Sequence, residues 1–252
     1  MIGMAYRQWR LFLGSPHNVV VPLLEPTLYL LIFGQVMASV VREATYAGGR
    51  VQYLSFMLPG ILAMAAWHRG VHAGTPIYVD RVTGELEALF AQPVPRWFIP
   101  VFNILSVVGQ TVLYTAAVLG VGKAMGVTAV YTGPKLVFIF AEVVAFTWAV
   151  GMTFSALCAL IKSQEAFNIV MNLLILPLVL TSSAFYPLEA APAWVRTVAA
   201  GNPISIAAEG LRAVLLGGNV LSQRVLFPAG LSLVWALGAS LLGSLVISRA
   251  VR

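Results

Sequence analysis

Six apolar runs, each near the length a helix needs to cross a lipid bilayer, constrain this chain of 252 residues more than any other feature. A hydrocarbon core about 30 Å thick takes roughly 20 helical residues. The runs occupy positions 19–41, 51–67, 97–122, 136–161, 166–188 and 225–248. The second is the shortest, and its helix has room to continue past His68 and Arg69 toward Val79. Composition points the same way. The chain is 60% hydrophobic and 10% charged, with a mean hydropathy of +0.89, whereas soluble domains carry about 25% charged residues. A water-soluble fold cannot hide that much apolar surface. The expected fold is therefore an all-α membrane protein of six transmembrane helices in a single domain, 1–252. The first eighteen residues have no continuous apolar core and no small-residue cleavage site, so the first run is expected to act as an uncleaved anchor.

The net charge of +6 comes from basic residues spread through short connectors. That distribution suits anionic lipid headgroups and argues against nucleic acid as a partner. An even number of spans places both termini on one side of the membrane. Lys and Arg do not say which side. With the termini inside, Arg7, Arg10, Arg69, Arg81, Arg96, Lys162, Arg249 and Arg252 face seven residues outside, Arg42, Arg50, Lys123, Lys135, Arg196, Arg212 and Arg224. Cys158, the one cysteine, lies inside an apolar run, which excludes an intrachain disulfide and a cysteine-based metal site.

Three segments outside the runs have structure of their own. In 1–18, Ile2, Tyr6, Trp9 and Leu13 recur at helical spacing before Gly14, Ser15 and Pro16 break the pattern, which predicts an amphipathic helix along the headgroups. In 79–95, the densest charge of the chain accompanies Val82, Leu86, Leu89 and Phe90 at i, i+4, i+7 and i+8. A short helix there has one apolar and one charged face and suits docking to another protein. In 189–224, too polar to span simply, Asn202 and Pro203 have the chemistry of a helix start. Glu209 then faces Arg212 at i, i+3, so the two are expected to pair. Short re-entrant or interfacial helices are predicted for this segment, opposite the termini.

Candidate chemistry is sparse. No G-x-x-x-x-G-K-[ST] occurs, since Ile161 precedes Lys162 and Ser163 where the phosphate loop needs glycine. H-E-x-x-H and G-x-S-x-G are absent too. The chain is thus expected to be no enzyme, and any ATP hydrolysis must come from a partner. Glu25 and Glu142 are charges within spans, where ionisable groups are costly and often functional. Each either lines a route or pairs with a polar group on a neighbouring helix, and the second is favoured for Glu25. Asn168 and Asn172, one turn apart in the fifth run, and Asn103 and Gln110 in the third either bond between helices or face a substrate. His68 and His72 are spaced for one metal ion, but no third ligand is near, so an interfacial role is favoured.

Several stretches together carry a resemblance. They are Phe56-Met57-Leu58-Pro59-Gly60-Ile61, the segment from Asp80 through Arg81, Gly84, Glu85 and Glu87 to Leu89, and Asn202-Pro203 through Glu209 and Arg212. With the amphipathic start and the six spans, their order and spacing resemble the ABC-2 family of permeases, which includes drug-efflux, nodulation-factor and O-antigen polysaccharide exporters. The resemblance covers nearly the whole chain. It implies a permease dimer, with a second copy of itself or a homologous permease, bound to two ABC ATPase subunits that carry ATP and Mg. No cofactor is expected on this chain. It further implies a bacterial-type plasma membrane location with cytoplasmic termini, and a coupling helix formed by Asp80, Arg81, Gly84, Glu85, Glu87 and Leu89. A substrate pathway near Glu142, Asn168 and Asn172 and an external gate near Asn202, Pro203, Glu209 and Arg212 complete the expectation. Polysaccharide, lipid and drug remain open as substrates. The rivals are a lone proton- or ion-coupled carrier using Glu142 and a membrane-bound enzyme or assembly scaffold.

Overall fold

A computed structural model describes residues 14, 16–76, 79, 98–161 and 163–250. The expected N-terminal amphipathic helix and the 79–95 segment lie almost wholly outside the described residues. The described chain is mostly helical. It begins with α1 (Pro16–Leu28), a π-helical stretch (Tyr29–Gly34) and α2 (Gln35–Val40), which form one continuous rod. Pro22 and Pro26 sit inside it, and Pro26 can give no amide to the carbonyl one turn back. The wider π turn brings Leu30 and Gly34 onto the inner face, where both are buried. A side chain at Gly34 would meet Leu54 at 2.9 Å, so a glycine lets the rod lie close to the next helix.

A two-stranded antiparallel hairpin follows, β1 (Glu43–Tyr46) and β2 (Gly49–Gln52), paired from Glu43↔Gln52 to Tyr46↔Gly49. It departs from the expected all-helical chain. Ala47 and Gly48 hold φ of 53° and 81°, the conformation of a two-residue hairpin turn, and Thr45, Tyr46 and Val51 favour extended backbone.

Next come α3 (Tyr53–His72), α4 (Phe98–Ala124), α5 (Gly133–Leu160) and α6 (Gln164–Leu180). A 3₁₀ turn (Leu188–Ala190), α7 (Ala193–Gly201), α8 (Pro203–Leu215) and α9 (Gln223–Ala250) complete the order. Four stretches are long and apolar enough to cross a bilayer: Val20–Val40, Asn103–Ala124, Gly133–Leu160 and Gln223–Val246. The second and fifth predicted runs also fold as helices but fall short of that standard. For α3 the reason is its position. Sixteen of its twenty residues are buried against α4, α5 and α8, so its surroundings are protein and it needs no uniformly apolar surface. It ends in a turn at Ala73 and Gly74 instead of running on to Val79 as one helix.

The fifth run was expected to reach residue 188, yet α6 stops at Leu180. Thr181 Oγ1 donates to the Pro177 carbonyl, 2.7 Å away, and Ser182 Oγ to that of Val179, also at 2.7 Å. These hydroxyls join the Thr181 and Ser182 amides on the same two carbonyls, closing the last turn locally, and the chain turns back into the core. Glycines set how closely the core packs. A side chain at Gly70 would meet Val150 Cβ at 2.6 Å, and one at Gly60 would meet the Ala184 backbone.

Candidate functional site

The helix expected at Asn202 begins there. Asn202 Oδ1 accepts from the Ile204 amide at 2.9 Å, and Pro203 fills the first turn, where no donor is needed. Its Nδ2 does what the sequence does not announce. It donates to the Leu178 carbonyl at 2.6 Å and to Thr181 Oγ1 at 3.3 Å, tying the start of α8 to the end of α6.

Arg212, nearly three turns further along α8, is fully buried. It pairs with the Glu209 carboxylate, as the i, i+3 spacing predicts. Its Nε donates to the Phe56 carbonyl at 3.0 Å, and one terminal nitrogen donates to the Ser183 carbonyl at 2.8 Å. The guanidinium lies 3.9 Å from the Phe56 ring centroid and 5.8 Å from that of Tyr46. A buried cation is tolerated only when its donors and charge are answered. Here α3, the 181–187 turn and α8 all answer it. No sequence signal marks Ser183 or the Phe56 carbonyl as partners, because backbone acceptors carry no residue signature.

Glu142 is buried between α5 and α9, where Ser232 Oγ donates to it at 2.8 Å. The same pair of helices is joined by Trp148 Nε1 to Ser240 Oγ at 2.9 Å and by Trp235 Nε1 to Thr153 Oγ1 at 3.2 Å. Glu142 is thus the first rung of a polar ladder between α5 and α9. Glu142→Gln keeps an acceptor for Ser232. It is expected to leave thermal stability within about 1 kcal/mol of the native chain, read by heating followed by size-exclusion chromatography. Full loss of transport in that otherwise stable variant would favour the proton-coupled carrier.

On the other side of α3, both carboxylate oxygens of Glu25 lie 3.2 Å from His68 Nδ1, joining α1 to α3. Arg69 bonds to Gln110 and stacks over the Tyr114 ring at 5.2 Å. Gln110, half of the polar seam expected in the third run, is therefore engaged by an arginine that the charge pattern assigned to a connector. Asn103, its other half, is buried. Among the described residues no group of three or more His, Cys, Asp or Glu is gathered to hold a metal. Asp80, Arg81, Gly84, Glu85, Glu87 and Leu89 lie outside the described residues.

The outer faces of the helices differ in a way that bears on function. On α9, Leu233, Val234, Leu237, Leu241 and Leu242 are 55–69% exposed and wholly apolar, a surface fit for lipid. On α6 the helix touches its own chain along a narrow stripe that buries Phe167, Met171 and Val179, and its exposed side carries Asn168 and Asn172 beside Ile169 and Leu173. Two amides one turn apart on an otherwise apolar helix are costly against acyl chains. That face suits protein or a wet route better than hydrocarbon.

The chain matches the family model described as "ABC-2 type transporter" over residues 2–216. It is similar to a putative transport permease of Cyanophora paradoxa, with 27% identity across 84% of this chain and 72% of that one. It also resembles a daunorubicin resistance ABC transporter permease protein of Streptomyces coeruleorubidus, 24% identical across 83% and 73%. A probable doxorubicin resistance ABC transporter permease protein of Mycobacterium tuberculosis is 25% identical across 88% and 76%. Long apolar helices around a polar-pinned core, with the family match running through most of the residues that build them, make this chain a member of the ABC-2 type transporter family, an integral membrane protein of transport.

Proposed function

We propose that the chain is the permease subunit of an ATP-driven exporter, in which two copies, or this chain and a homologous permease, enclose the pathway between them. The exposed amide-bearing face of α6 carries this reading, since a polar face on a bilayer helix calls for a partner other than lipid. α3 and α6 then complete six crossings alongside the four longer spans, both termini are cytoplasmic, and the membrane is a bacterial-type plasma membrane. Asn168 and Asn172 line the route, while Glu142 braces α5 against α9. The 189–224 segment forms the outer side, with Asn202, Pro203, Glu209 and Arg212 near the exit. The substrate is amphipathic, lipid-linked or drug-like, consistent with drug-resistance permeases among the relatives.

The sequence contains no phosphate loop, so energy arrives from separate ABC ATPase subunits bearing ATP and Mg. The segment containing Asp80, Arg81, Gly84, Glu85, Glu87 and Leu89 receives it, and closure of the ATPase pair moves the spans as rigid bodies. The test is co-purification with an ATPase, followed by transport and hydrolysis in one preparation. Glu85→Lys is expected to leave the assembled chain folded but to cut transport per ATP hydrolysed by at least about tenfold, by reversing a charge at the docking surface. Unchanged coupling in that variant, or no ATPase partner for the native chain, would overturn the proposal.

A further inference from the structure

Where the hairpin, the 3₁₀ turn, α8 and the start of α9 meet, they border an open cavity of about 550 Å³. Tyr46, Glu189, Glu209, Gln223, Arg224 and Phe227 contribute to its lining. Its size falls within the range of small-molecule sites. Of these residues only Glu209 belongs to the proposed exit; Glu189 and Arg224 have no role there.

The charges in the wall are not equivalent. Glu209 is held from behind by the buried Arg212. Glu189 and Arg224 form no ion pair among the described residues, so the cavity offers one uncommitted anion and one uncommitted cation. A purely anionic ligand would meet two carboxylates, and a purely cationic one would meet Arg224. A zwitterion answers both. The charges do converge: Glu209, Arg212, Arg224 and Glu189 all act on the Tyr46 phenol, which burial above all pushes upward, so it stays a neutral donor.

The position of the cavity fixes what kind of zwitterion arrives. Gln223 and Arg224 are the last polar residues before α9 becomes apolar, and after the buried Val225 come Leu226 and Phe227, 49% and 66% exposed. In a bilayer crossed by α9, such a polar-to-apolar step falls where headgroups meet acyl chains. We propose that the cavity binds the headgroup of an amine-bearing zwitterionic phospholipid of the phosphatidylethanolamine type, with Arg224 and Tyr46 toward the phosphate, Glu189 toward the ammonium, and Phe227 beside the glycerol and upper acyl chains. A primary ammonium donates hydrogen bonds to Glu189, which a choline headgroup cannot do. The inference rests on the chain's residence in a membrane and not on its transport cycle, so its failure would leave the proposed function standing.

The test is native mass spectrometry of the purified full-length chain after exchange into detergent containing equal amounts of phosphatidylethanolamine, phosphatidylcholine and phosphatidylglycerol with identical acyl chains. Phosphatidylethanolamine is expected to be retained over the other two. Glu189→Gln should reduce that retention about tenfold, the effect of losing one charge-assisted hydrogen bond, and raise the share of phosphatidylglycerol. Glu189→Asp should preserve the preference, and Arg224→Gln should weaken ethanolamine and glycerol lipids together. Both side chains are exposed, so these variants are expected to elute as the native chain does on size exclusion. Equal retention of all three lipids by the native chain, or an unchanged preference in Glu189→Gln, would overturn the proposal.

Discussion

Arg212→Met is expected to lower the stability of the folded chain by about 3–5 kcal/mol, the usual cost of deleting one member of a buried pair. The side chain that replaces it is similar in length and apolar, so the loss is not one of volume. What disappears is the only described side-chain donor to the Ser183 carbonyl, a second donor to the Phe56 carbonyl and the charge opposite Glu209. Glu209 is 37% exposed and regains some water, which places the effect toward the lower end of that range. Arg212→Lys should fall between, because a single ammonium cannot reach the Phe56 and Ser183 carbonyls and the carboxylate with the geometry of a planar fork. Glu209→Gln keeps an acceptor in place but leaves the fully buried cation without its opposite charge, so it too should cost about 3 kcal/mol. The losses in Glu209→Gln, Arg212→Lys and Arg212→Met are read against the native chain as the temperature at which half the monodisperse peak is lost after heating. A native-like melting temperature in Arg212→Met would show that the network contributes little.

Gly60→Ala strikes the same junction from the opposite side, and we expect it to cost about 3 kcal/mol or more, the upper part of the range for overpacking. An added Cβ would stand 2.5 Å from Ala184 Cα and 2.7 Å from its carbonyl carbon. Those atoms are backbone, and they belong to the turn whose Ser183 carbonyl accepts from Arg212. α3 and the 181–187 turn must therefore separate, and the guanidinium then loses its acceptors. Gly120→Ala is the matched control. It is also helical, but a side chain there meets nothing within 4 Å, so a neutral or slightly stabilising change of under about 1 kcal/mol is expected. Both variants would be compared for yield of monodisperse protein and for melting temperature. Equal behaviour of the two glycines would mean that the turn yields more readily than its packing suggests.

Because Asn202, Arg212, Ser183 and Gly60 all meet at one junction, its two halves should not behave independently. The ends of α6 and α8 and the middle of α3 share partners there, so combined substitutions are expected to be non-additive. In the proposed transporter this is where motion of α3 would reach the outer side, since Arg212 grips the Phe56 carbonyl directly.

Much of the architecture was legible in the chain itself. Apolar length alone located the long spans, because the bilayer imposes a minimum number of helical residues, and the Asn202-Pro203 cap and the Glu209 to Arg212 pairing are local in sequence. Tertiary structure decided what depends on distant partners. The short second run is explained only by its burial among α4, α5 and α8, and the early end of α6 by hydroxyls that turn the chain inward. Glu142 faces Ser232 ninety residues away, and Asn168 and Asn172 lie on a face that the rest of the described chain leaves open. Periodicity reports which side of a helix is apolar, but not whether protein, lipid or a second copy covers it. That choice is made by helices far apart in the chain, and it separates a brace such as Glu142 from a surface such as that of α6.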